Sequence, residues 1–204
     1  MANVVLALLI IIFSCATNAF ALGNPTNGQS KSQVCVACHG VDGNSVTPIW
    51  PKIGGLSESY LLEQLVEFKK GPQGNRYDPS MYGIVQNFSQ QDLEDLAAYY
   101  SQQAMALGTA NQGMVALGQQ IYRGGNLLTG VPACAACHAA DGGGNYLANF
   151  PRLSGQNSGY ISAELSKFKT KERKNDPSSI MQDIAARLSN EEIEAVANYV
   201  AGLH

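Results

Sequence analysis

Cys35-Val36-Ala37-Cys38-His39 and Cys134-Ala135-Ala136-Cys137-His138 are two copies of one pattern, C-x-x-C-H, in a chain of 204 residues with five cysteines. That pattern is the attachment signature of c-type haem. Two thiols about one helical turn apart can each add to one of the two vinyl groups on a porphyrin edge, and the adjacent histidine is carried under the ring, where its imidazole can bind the iron. A structural zinc site needs four Cys or His ligands converging on one ion. Here each cysteine pair brings its own histidine, and the remaining histidine is the terminal His204. A thioredoxin-like dithiol needs a βαβ setting, and no run of alternating β-branched residues surrounds either motif. The sequence therefore predicts two covalently bound haem c groups, held by Cys35 and Cys38 and by Cys134 and Cys137.

The duplication extends beyond the motifs. Pro51 and Pro151, Tyr60 and Tyr160, Phe68 and Phe168, Met81 and Met181, and Tyr99 and Tyr199 recur at an offset of 100, while the motifs themselves recur at 99. This periodicity predicts two copies of one domain, 22–103 and 113–204, joined by a linker over 104–112 that is poor in large apolar residues. Each copy reads as all-α. Ser57 caps a helix carrying Tyr60, Leu61, Leu65 and Phe68 up to Gly71, and its counterpart carries Tyr160, Ile161, Leu165 and Phe168. The last helix of each half opens with a capping-box pair, Ser89 with Asp92 and Ser189 with Glu192. A half of roughly 80–90 residues has a small core and benefits from a covalently attached apolar group.

His39 and His138 each fill one axial position, and His204 cannot serve two irons, so bis-histidine ligation at both sites is excluded by count. Methionine is the soft alternative. Met1 lies in the leader, Met105 in the linker, and Met114 has no counterpart in the first half, which leaves Met81 and Met181 at equivalent positions. The plain alternative for a methionine is a flexible core filler; the matched pair downstream of matched motifs favours the ligand role. Pro51 and Pro151 each follow the motif by a short loop, where a proline carbonyl can accept the proton on the histidine's free ring nitrogen. A simple loop proline is the alternative there. Lys52 and Arg152 come next and are candidates for pairing with haem propionates.

Residues 1–21 read as an export signal, with an apolar run from Val4 to Phe13 and Ala19-Phe20-Ala21 as the cleavage site. The apolar run is shorter than the ~20 residues a spanning helix needs. Cys15 falls in this segment. Export fits haem attachment outside the cytoplasm, so the mature chain is expected in the periplasm. The chain holds 13 basic and 16 acidic residues, net −3, which is no nucleic-acid footprint. Up to Ala110 there are 5 basic and 8 acidic residues, and beyond it 8 and 8. Negative charge favours ferric iron, so the first half is expected to hold the lower-potential haem. Lys167, Lys169, Lys171, Arg173 and Lys174 form the one cationic cluster, read as a solvated helix end in preference to a docking patch.

The strings Cys35 to Ser45, Trp50-Pro51-Lys52-Ile53-Gly54-Gly55, Asn87-Phe88-Ser89-Gln90-Gln91-Asp92-Leu93, Phe150-Pro151-Arg152-Leu153-Ser154-Gly155-Gln156 and Ile180-Met181-Gln182 resemble the cytochrome c4 family over essentially the whole mature chain. The resemblance implies two class I cytochrome c domains related by a pseudo-twofold, with the haems near each other at the interface. It also implies a periplasmic electron carrier, sometimes membrane-associated, that is not an enzyme and passes electrons from a quinol-oxidising cytochrome bc complex to a terminal haem-copper oxidase. Its axial ligands carry over onto His39 with Met81 and His138 with Met181. Two other classes compete: a di-haem subunit of a flavocytochrome-type dehydrogenase, and a di-haem peroxidase. The latter needs an openable sixth position and acid/base groups.

Overall fold

Ten α-helices form the regular structure among the described residues, 23–204, of the computed structural model. The segment read as an export signal, with Cys15 and the expected cleavage site, lies outside them. The first half contains α1 (Pro25–Lys31), α2 (Val36–His39), α3 (Glu58–Lys69), α4 (Pro79–Val85) and α5 (Gln90–Ser101). The second repeats them as α6 (Gln112–Gly124), α7 (Ala135–His138), α8 (Ser158–Lys169), α9 (Ile180–Arg187) and α10 (Asn190–Ala201). No strand occurs among the described residues; Asn126 with Val131 and Asn145 with Phe150 form isolated bridges closing two loops of the second half.

The helix starts are chemically marked. Asn24 accepts the N–H groups of Thr26 and Asn27 ahead of Pro25, Asp78 accepts those of Ser80 and Met81 ahead of Pro79, and Ser57 accepts that of Tyr60. Both predicted capping boxes are formed, with Ser89 and Asp92 reciprocating at α5 and Ser189 and Glu192 at α10. In each half the first helix packs against the last. A glycine sits at each crossing: a Cβ on Gly28 would lie 2.0 Å from the Asp95 carbonyl oxygen, and one on Gly118 would lie 2.2 Å from that of Ala195. The helices meet backbone to backbone, which only glycine permits.

Each half has a separate apolar core. Leu56, Leu61, Leu96, Ala97 and Tyr100 form the first, and Ile121, Tyr122, Ile193, Val196 and Val200 belong to the second. The connection between α5 and α6, expected to be a plain linker, is a packed strap. Met105 is only 6% exposed and completes the first core. Asn44 ties down both neighbours, with its Nδ2 donating to the Ala104 carbonyl and its Oδ1 accepting the Ala106 N–H.

Between the halves lies a reciprocal polar cluster. Arg76 stacks on Phe68 of its own half and donates to Tyr160 and Glu164 of the other, both at 2.8 Å. Arg173 stacks on Phe168, donates to Glu164 of its own half at 2.7 Å, and crosses to Tyr60 and Gln64 at 3.1 Å. Equivalent residues thus exchange partners, which expresses the pseudo-twofold. Arg173 is buried, so this member of the cationic cluster is not the solvated residue expected from composition. Burial alone would raise the Glu164 pKa, but Arg76 and Arg173 override it and hold the carboxyl at about 2.

Candidate functional site

Each C-x-x-C-H motif forms one helical turn, α2 or α7, with the N–H of His39 donating to the Cys35 carbonyl and that of His138 to the Cys134 carbonyl, both at 2.9 Å. The turn places both cysteines and the histidine on the wall of a cavity. The first cavity is lined by Cys35, Cys38 and His39 on that side and by Met81 and Ile84 from α4. The second is lined by Cys134, Cys137 and His138 and by Met181 and Ile184 from α9. Their volumes are nearly equal, about 230 and 210 Å³, so both halves enclose room for the same kind of group.

Both imidazoles are buried, His39 being 7% and His138 8% exposed. Each Nδ1–H donates to a proline carbonyl at 2.9 Å, Pro51 for His39 and Pro151 for His138. That contact fixes the tautomer and leaves Nε2 with its lone pair free. Burial pushes both imidazoles below their ordinary pKa, against the pull of the proline carbonyls, so they stay neutral. Burial also raises the Cys35 thiol and pushes Cys134 up to about 11.

The chemistry of this donor set fits a covalently bound haem. In each half two thiols flank a neutral imidazole with an oriented ring, a thioether comes from a separate element, and the walls are mainly apolar. Among the described residues the buried Tyr100 hydroxyl has no hydrogen-bond partner, and it belongs to a residue lining the first cavity. The two motifs line different cavities, and among the described residues no cluster of three or more His, Cys, Asp or Glu could hold a free metal ion. Met81 and Met181 sit near the starts of short helices ahead of the capped last helix of each half; Asp78 caps α4, whereas Ser178 and Ser179 in left-handed conformations lead into α9.

The two candidates for propionate pairing sit in different settings. The Lys52 ammonium is buried and donates to the carbonyls of Ala106 and Gly155, at 2.7 and 2.8 Å, which engages it in tying the halves together. Arg152 lines the second cavity and donates through Nε to the Ser154 carbonyl. Tyr60, Gln64, Tyr160, Glu164 and Arg173 line both cavities and were not read as site residues. Their visible signal was the recurrence of Tyr60 and Tyr160 at the offset of 100.

The cytochrome c family model matches this chain twice, over residues 26–103 and 115–204. Cytochrome c4 of Azotobacter vinelandii is 44% identical over 99% of this chain and all of that protein. A thiosulfate dehydrogenase electron acceptor of Stutzerimonas stutzeri is 30% identical over 98% of this chain and 92% of that protein. The crystal structure of reduced recombinant cytochrome c4 from Pseudomonas stutzeri superposes with a TM-score of 0.87 at 45% identity, covering 89% of this chain and all of that one. Two tandem haem-c-binding domains and full-length similarity lead to one conclusion: the chain belongs to the cytochrome c4 family of di-haem electron carriers.

Proposed function

We propose that the chain is a periplasmic carrier that takes electrons singly from a quinol-oxidising cytochrome bc complex and delivers them to a terminal haem-copper oxidase. The observation that carries this reading is the pairing, in each half, of an oriented histidine with a methionine from a separate element on one cavity wall. In this reading Cys35, Cys38, Cys134 and Cys137 hold the porphyrins, and His39 with Met81 and His138 with Met181 are the axial ligands. A His/Met-ligated haem supplies a one-electron couple in the positive range, with no open position for substrate. The chain's own residues do the rest. Pro51 and Pro151 hold the imidazoles at Nδ1, and apolar walls such as Leu96, Val85, Val196 and Val200 exclude water.

The reading is tested with membranes carrying a bc complex and a haem-copper oxidase. Quinol is expected to reduce the protein through the bc complex, and the reduced protein to be reoxidised with cyanide sensitivity. Failure of both half-reactions would overturn the assignment of partners. A second reading, electron acceptor for a periplasmic dehydrogenase, is supported by the similarity to the thiosulfate dehydrogenase electron acceptor. Rapid reduction by such an enzyme and its substrate, in the absence of the bc complex, would establish it.

A further inference from the structure

Gln156 belongs to the second half and is 2% exposed, yet both polar atoms of its side chain engage the first. Its Oε1 accepts the Lys52 N–H at 2.8 Å, and its Nε2 donates to the Lys52 carbonyl at 2.7 Å. A backbone N–H can only donate and a carbonyl can only accept, so the orientation of the Gln156 amide is set by its partners. The Lys52 N–H is one end of a peptide group whose other end is the Pro51 carbonyl. That carbonyl accepts the His39 Nδ1–H at 2.9 Å. A hydrogen-bond chain therefore runs from Gln156 of one half, through a single peptide plane, to the imidazole of the other.

The repeat supplies its own control. His138 Nδ1 donates to Pro151 at the same 2.9 Å. The residue equivalent to Gln156 is Leu56, which has no polar side-chain atom, and among the described residues the Arg152 N–H has no acceptor. The adjoining loop bonds are alike, with Ile53 N–H on the Gly43 carbonyl and Leu153 N–H on the Gly142 carbonyl. The second half adds a bridge between Asn145 and Phe150 ahead of its proline, but at the histidine's acceptor itself the difference is the bonded Lys52 N–H.

We propose that Gln156 is a positioning residue for the first-half histidine: by accepting the Lys52 N–H it polarises the Pro51–Lys52 amide and makes Pro51 the stronger acceptor for His39. Hydrogen bonds in series strengthen one another, and a stronger bond at Nδ1 makes an axial imidazole more basic. A more basic His39 favours ferric iron, so Gln156 acts to lower the first-half couple and leaves the second untouched. Because donor and acceptor belong to different halves, the effect exists only while the halves are docked. This inference rests on His39 and His138 being axial ligands.

The test is Gln156→Met in the di-haem protein, a substitution that keeps length and removes both polar atoms. The two couples are followed by potentiometry, with the haem methyl resonances assigning each to its half. The expected result is a positive shift of the first couple with the second unchanged and the Met-to-iron absorption band intact. Equal shifts of both couples, or no shift, would overturn the proposal, whereas loss of the band in the native protein would overturn the ligand reading instead. Should the variant fail to fold, the reduced native protein decides by proton NMR. The His39 Nδ1–H is expected downfield of that of His138 and slower to exchange, and coincident behaviour of the two would contradict the role of Gln156.

Discussion

Ala139 stands where the first half has Gly40, directly after the motif histidine, with φ 66° and ψ 159°. Gly40 adopts φ 79° and ψ 164°, a region open essentially to glycine. The second half therefore holds a strained alanine beside His138. Ala139→Gly is expected to stabilise the second half by about 1 kcal/mol, seen as a rise of several degrees in its thermal midpoint; an unchanged or lower midpoint would show that the strain is absent. The chemistry-bearing residues were legible at this scale because each is a type with few alternatives at its spacing. Two thiols and a histidine in five residues, a methionine and a proline recurring at one offset, are readable without a structure. Lys52 was misjudged because a lysine's partners, here the Ala106 and Gly155 carbonyls, come from distant segments that no local pattern names. The methionine assignment has a direct check: Met81→Ala is expected to open one iron, giving a high-spin ferric signal at half the total haem and imidazole binding at that site alone. A variant that stays fully low-spin without added ligand would remove Met81 from the coordination sphere.

At the scale of elements, α3, α5, α8 and α10 were readable from caps and periodicity and α1 was not, whereas α6 went unread although Val115, Leu117, Ile121 and Tyr122 carry a helical apolar face into the second core. The reason is visible in α1, Pro-Thr-Asn-Gly-Gln-Ser-Lys, in which Gly28 is the buried residue. Its docking is specified by a missing side chain, which hydrophobic periodicity cannot register. Gly118 plays the same part in α6, but at an offset of 90, because the second half inserts the Asn126–Val131 loop before its motif. Alanine normally favours a helix over glycine by about 1 kcal/mol. At Gly118 the sign should reverse: the Cβ would meet backbone at 2.2 Å, so Gly118→Ala is expected to cost on the order of 3 kcal/mol. Gly124→Ala, in the same helix with nothing within 4 Å of its Cβ, serves as the control and should be neutral or mildly stabilising. Calorimetry of the two variants checks this, and equal midpoints would contradict the close crossing.

For the whole molecule, the duplication was legible but the way the halves meet was not. Arg76, Gln64, Glu164 and Arg173 become a cluster only when residues about a hundred positions apart are brought together. The cluster is asymmetric, since Gln64 faces Glu164 across the pseudo-twofold, and its one carboxylate lies between two buried guanidinium groups, with Lys167 at 3.1 Å on its other oxygen. The Glu164 pKa falls from 4.5 to about 2 on folding, so its contribution is fully present above pH 4.5 and is lost as pH drops towards 2. Protonation leaves Arg76 and Arg173 facing each other without a counter-charge. Stability of the native protein is expected to decline across that window more steeply than that of Glu164→Gln, which should be weaker at neutral pH and flatter below it; parallel pH profiles would show that Glu164 does not hold the interface.

Two closed His/Met-ligated haems in one chain are what the carrier function requires. Its most direct test is an optical spectrum of the mature protein, oxidised and reduced, with a pyridine haemochrome count and a scan of the weak Met-to-iron band. Two haem c groups per chain, the band at full strength and no high-spin ferric signal are the predicted result. One haem per chain, or a band at half strength with a high-spin signal in the native protein, would contradict it.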